Sequence, residues 1–103
     1  MANLAISKIN DLESNAEQAA ELLSTMSNKH RLMILCRLLE GETQAGALAE
    51  VCGLSQSALS QHLAKMRDAG LVATRRDAQM IYYRLSSRPA EALLDTLYRI
   101  YCV

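Results

Sequence analysis

Residues 48–70, LAEVCGLSQSALSQHLAKMRDAG, leave few ways for this chain to fold. Leu48, Ala49 and Val51 give a short helix one apolar side. Gly53 then permits the left-handed backbone that ends it, a conformation costly for any residue with a Cβ. Ser55 suits the N-cap of a second helix, where its hydroxyl accepts an otherwise unpaired backbone N–H. Leu59, Leu63 and Met66 recur at i, i+4 and i+7, which is one buried stripe. Ser57, Ser60, Gln61, Ala64 and Lys65 lie opposite, with Gln56 at the exposed first turn. Two short helices joined by a tight turn, the second carrying Gln, Ser and Lys outward, form the pattern of a helix-turn-helix that reads DNA base edges. A merely solubilising face is usually rich in Glu and Lys; here no acid occurs before Asp68. His62 falls between the two faces, a position open either to a phosphate contact or to packing.

Charge supports that reading through its distribution. The formal net charge is zero. Residues 1–53, however, carry four Lys or Arg against seven acids, and residues 54–103 carry seven against four. Within residues 65–88 six basic residues meet two acids. A basic patch on one face is the electrostatic footprint of a nucleic-acid binder, whatever the total.

The 103 residues suit one domain, 1–103, with no repeat or linker. The first ten residues are expected to be poorly ordered or extended, and they lack the basic-then-apolar layout of a signal peptide. No apolar run is long enough to span a membrane, so the expected location is the cytoplasm. A helix is predicted from about Asp11 to Met26, with Leu12, Ala16, Ala19, Ala20, Leu23 and Met26 on one face. Residues 29–40, KHRLMILCRLLE, are apolar nearly all round and belong at the centre, with Leu32, Leu35, Cys36 and Leu39 sharing a face.

After Gly70 the period changes from 3.6 to 2. LVATRR and MIYYRL read as two strands joined around Asp77, Ala78 and Gln79. A hairpin directly after a reader helix is a wing, and Arg75, Arg76, Gln79 and Arg84 are set to meet phosphate or the minor groove. Ser86–Pro89 starts a last helix that runs to about Tyr101, with Leu93, Leu94, Leu97, Ile100 and Tyr101 as a broad apolar stripe. So small a chain cannot bury this stripe and that of the first helix alone. The fold expected is therefore mainly α, a winged helix-turn-helix of about five helices plus a two-stranded wing. It is expected to dimerise through the first and last helices, placing two reader helices about 34–36 Å apart on a near-palindromic double-stranded operator.

LSQSALSQHLAKMRDAGLVATRRDAQMIYYRL, with Asn28–Leu35 ahead of it, resembles the ArsR/SmtB family of winged-helix repressors. The likeness covers nearly the whole chain beyond residue 15. It implies a homodimer whose DNA affinity drops when an inducer binds or reacts. Metal-sensing members use a Cys-rich segment before the first reader helix or Asp and His pairs on the last helix. This chain has no cysteine in residues 44–48 and no His on the last helix, so neither a metal nor any other cofactor is expected.

The remaining candidates are Cys36, Cys52 and Cys102. By residue chemistry alone each is either core packing or a reactive thiol. The apolar surroundings of Cys36 raise a thiol pKa and slow oxidation. The flanks ILCRLL and RIYCV resemble the dithiol, persulfide-sensing subgroup of the family, the BigR, SqrR, YgaV and HlyU type. That resemblance implies that Cys36 and Cys102 are a sensor pair, joined by a disulfide or polysulfide bridge on exposure to reactive sulfur species. Cys52 has no counterpart there and is read as buried and structural. An enzyme is not expected: there is no Cys-x-x-Cys, no phosphate-cradling Gly-rich loop and no nucleophile–base constellation. An activator that displaces a silencing protein, as HlyU-like members do, is the nearer alternative to a repressor.

Overall fold

The computed structural model describes residues 6–102. Six helices and three strands follow one another as α1 (Ile6–Ser14), α2 (Ala16–Met26), α3 (Lys29–Leu39), β1 (Thr43–Gln44), α4 (Ala45–Cys52), α5 (Gln56–Asp68), β2 (Val72–Asp77), β3 (Met80–Leu85) and α6 (Arg88–Tyr101). The predicted first helix is thus two, and it starts earlier than expected. Residues 6–10 are helical rather than extended, while residues 1–5 lie outside the described chain. The break at Asn15 has a local cause. The Ser14 hydroxyl and the Asn15 amide both donate to the Asp11 carbonyl, at 2.9 Å each, and compete with the helical ladder.

The core gathers side chains from six elements and from Leu71, which links α5 to β2. Ile34, Leu35 and Leu38 of α3 pack with Met26, Leu48, Ala49, Leu59, Leu63, Met66, Leu71, Val72, Ala90 and Leu94. The centre of α3 is therefore buried as expected, but through a different face. Cys36 and Leu39 are exposed, and Met33 with them. Val51 is likewise exposed, because α4 is only eight residues long and buries the side bearing Leu48 and Ala49.

Local signals hold the turns. Gly53 has φ +65°, and the Gly53 and Leu54 N–H groups donate to the Glu50 and Ala49 carbonyls at 3.1 and 3.0 Å. Gly70, φ +79°, ends α5 in the same way, with the Leu71 N–H donating to the Met66 carbonyl at 2.8 Å. The Ser87 hydroxyl caps α6 by accepting from the Ala90 N–H at 3.2 Å.

The hairpin pairs antiparallel with Val72 opposite Leu85 and Asp77 opposite Met80. Its two-residue turn holds Ala78 at φ +55°. The two-stranded wing stands as predicted, but its sheet has a third strand. The short β1 adds to the free edge of β3, Thr43 opposite Tyr83 and Gln44 opposite Tyr82, giving the order β1-β3-β2. Two residues carry no periodicity, so nothing local announces such a strand.

The terminal helices leave apolar surface uncovered. Ala90 and Leu94 of α6 are buried, yet Tyr101 on the same stripe is 79 % exposed and Ile100 62 %. Ile9, Leu12 and Leu23 of α1 and α2 are also exposed. The radius of gyration is 15.4 Å, against about 13 Å for a compact domain of this length.

Candidate functional site

The reader face of α5 is formed by its cap and its buried stripe together. The Ser55 hydroxyl accepts from the Ala58 N–H at 3.1 Å and fixes where the helix begins. Leu59, Leu63 and Met66 are buried, which turns Gln56, Ser57, Ser60, Gln61 and Lys65 outward, all exposed. Lys65 and Arg67 occupy the last turn, where positive charge favours the helix dipole. Amide, hydroxyl and ammonium groups on one open face can donate to and accept from base edges and phosphates.

His62 sits apart from that set. It is half-buried, and its Nδ1 accepts from the Arg31 Nε at 3.3 Å. The neutral ring therefore carries its proton on Nε2. Arg31 also donates through Nη1 to the Thr25 carbonyl at 3.2 Å. One guanidinium thus ties the end of α2 and the start of α3 to the reader helix. Burial holds the His62 pKa below the usual imidazole value, and the charges of Arg31, His30 and Lys65 push it the same way. The ring centroids of His30 and His62 are 5.8 Å apart. Arg31 was missed in the sequence, although a charge in a helix apolar nearly all round is a signal that it has a partner.

On the wing, Arg76, Gln79 and Arg84 are exposed as predicted. Arg75 is exposed too, but it is engaged. Its Nη2 lies 2.7 Å from Glu42 Oε1, and its Nε donates to both carboxylate oxygens at 3.2 Å. Its guanidinium stacks over the Tyr82 ring, 4.6 Å from the centroid. Glu42, 33 residues away in sequence, is the second partner of a candidate site residue that sequence reasoning missed. Arg75 holds its carboxyl below the usual carboxylate range, by hydrogen bonding first and by charge thereafter, with a smaller contribution from Arg84.

The three cysteines are free thiols. Cys36 on α3 and Cys102 just after α6 are both exposed. Although Cys36 is exposed, partial desolvation against α3 and its neighbours pushes its thiol up, and the charge of Cys102 raises it further. The two groups therefore lie within electrostatic reach of each other. Cys52 is half-buried rather than buried, packed at the edge of the core; burial raises its pKa and Arg37 opposes the rise. Among the described residues no three His, Cys, Asp or Glu side chains stand close enough to hold a metal ion. No helix among them is long and apolar enough to cross a membrane.

Residues 28–74 match the model of a family described as bacterial regulatory protein, arsR family. The chain is 48 % identical over 94 residues to the transcriptional activator HlyU of Vibrio cholerae, covering 91 % of this chain and 87 % of that one. It is 48 % identical over 99 residues to the transcriptional regulator YgaV of Escherichia coli, covering 94 % of this chain and 99 % of that one. Among solved structures, the transcriptional repressor BigR of Xylella fastidiosa superposes with a TM-score of 0.86 at 42 % identity, covering 91 % of this chain and 96 % of that one.

Proposed function

The chain belongs to the ArsR family of bacterial regulatory proteins, DNA-binding transcriptional regulators rather than enzymes, and we propose that within it this protein is a thiol-switched repressor. It acts in the cytoplasm as a homodimer joined through its terminal helices. Each protomer sets α5 in the major groove of a near-palindromic operator and lays the wing along the backbone. Reactive sulfur species then join Cys36 to Cys102, and the dimer leaves the DNA.

The observation that supports this reading is the placement of two exposed thiols on packed helices: Cys36 lies on α3 and Cys102 at the end of α6, which packs against α3, close enough for the charge of one to act on the other. The chemistry balances without a metal. A cysteine thiolate takes the outer sulfur of a persulfide and releases a thiol. The second cysteine attacks the inner sulfur of that protein persulfide, forms the disulfide and expels hydrogen sulfide. If both cysteines are persulfidated first, the same attack leaves a trisulfide. A bridge at this place ties α6 to α3 and alters the angle between the two reader helices. A coupling of about 1–3 kcal/mol changes operator affinity by roughly 5- to 150-fold.

The test is intact-mass spectrometry of the anaerobic reduced protein after exposure to an organic persulfide, a disulfide or hydrogen peroxide, with operator binding followed in parallel. A Cys36–Cys102 crosslink formed with persulfide and accompanied by DNA release supports the proposal. An inducer response that survives Cys102→Ser sinks it. The name of the Vibrio cholerae relative, a transcriptional activator, supports a second reading, in which this protein activates rather than represses. The two differ in where the operator lies relative to the promoter and in the sign of the transcript change on deletion.

A further inference from the structure

Sequence alone presents the wing as carrying three arginines, Arg75, Arg76 and Arg84, toward DNA. The fold adds an acid to it. Glu42 immediately precedes β1, and β1 pairs with β3 on the side away from β2. That pairing brings the carboxylate alongside Arg75, whose cross-strand partner is Tyr82. The contact is a side-on fork, Nε and Nη2 against one carboxylate, with the guanidinium plane held over the Tyr82 ring. This is the geometry in which an arginine grips a phosphate. Asp77 adds a second, looser negative charge, 4.0 Å from Arg75 Nη1.

We propose that Glu42 competes with DNA for Arg75: it occupies the phosphate-gripping edge of that arginine, as an internal stand-in for the DNA backbone, and so lowers affinity for DNA of any sequence. Backbone contacts raise specific and non-specific binding alike, whereas the ratio between them is what a regulator needs among many competing sites. Withholding one arginine from phosphate leaves base reading by α5 a larger share of the total. The inference rests on the proposed contact between wing and DNA.

The experiment measures binding to a random-sequence duplex across 50–200 mM salt for the reduced native protein and for Glu42→Gln, Arg75→Gln, the double variant and Arg84→Gln. Gln keeps the shape of Glu42 and one acceptor oxygen while removing the charge. Glu42→Gln is expected to bind the duplex more tightly, with the log–log salt slope steeper by about 0.9, one added phosphate contact. Its advantage over the native protein then shrinks by roughly 3.5-fold between 50 and 200 mM. In the Arg75→Gln background the same substitution is expected to give no gain. A gain that persists there means simple repulsion between Glu42 and DNA and overturns the proposal. So does an unchanged or shallower slope for Glu42→Gln, which would mean that Glu42 presents Arg75 to DNA or only braces the wing. If Arg84→Gln leaves the slope untouched, the wing does not meet DNA and both readings fall. If it flattens the slope while Glu42→Gln has no effect, only the role of Glu42 fails.

Discussion

If the terminal helices join two protomers as proposed, Ile100→Ala is expected to separate them without unfolding either one. Ile100 lies in the last turn of α6, beyond the reach of its own core, and 62 % of it is exposed. Alanine removes three carbons, each worth about 0.8 kcal/mol on burial. Scaled by the exposed fraction, a dimer that covers the side chain loses about 1.5 kcal/mol per protomer. Two-fold symmetry counts the change twice, so association weakens by about 3 kcal/mol, roughly 150-fold in Kd. Alanine favours helix more than isoleucine does, so α6 itself is not weakened. Sedimentation velocity on a dilution series of reduced protein gives the dimer Kd, and a thermal melt gives protomer stability. An unchanged Kd would refute burial of this stripe between protomers. A large fall in melting temperature under conditions where the native protein is monomeric would mean that Ile100 supports its own chain instead.

Three further expectations concern the reader helix. Ser55→Ala removes the hydroxyl that accepts from the Ala58 N–H and is expected to cost about 1 kcal/mol in chemical denaturation. Gln61→Ala is expected to relax base choice at one operator position by about 1–3 kcal/mol, read by binding to a panel of single-base variants, with little change in salt slope. His62 has its folded-state pKa held below the ordinary imidazole value, so the unfolded chain binds the proton first as pH falls. Its contribution to stability is complete above about pH 6.5 and is lost as pH drops through the depressed folded value. His62→Gln is expected to flatten that part of the stability profile, measured by melting temperature across pH; an unaltered profile would place the titration elsewhere.

Much of the reader helix was legible in one dimension. Leu59, Leu63 and Met66 follow the helical period, Ser55 and Gly70 mark its ends, and both the stripe and its bounds stand in the fold as the pattern implies. The same holds for α6, capped by Ser87 and ending at Tyr101. Where side chains competed with the backbone, the pattern misled: the apolar face of residues 11–26 runs straight through Asn15, yet the Ser14 and Asn15 side chains break the helix there. In α3, an almost wholly apolar helix, periodicity could not select the buried face, because both sides satisfy it. Contact with α4 and α6 buried Ile34, Leu35 and Leu38 and left Cys36 and Leu39 to solvent.

Local chemistry thus sufficed for the extents of α3 to α6, the β2–β3 hairpin and the polar face of α5, since each depends on residues within a turn or two of one another. The state of individual charged and reactive groups needed the folded chain. Arg75 read as free until β1 brought Glu42 against it, and His62 read as ambiguous until Arg31 reached it from α3. Cys36 and Cys102 come within electrostatic reach because α6 packs on α3. Periodicity reports which side of an element is apolar. It carries no information about which distant side chain will arrive there, and it is that arrival which sets a charge's partner and a thiol's neighbour.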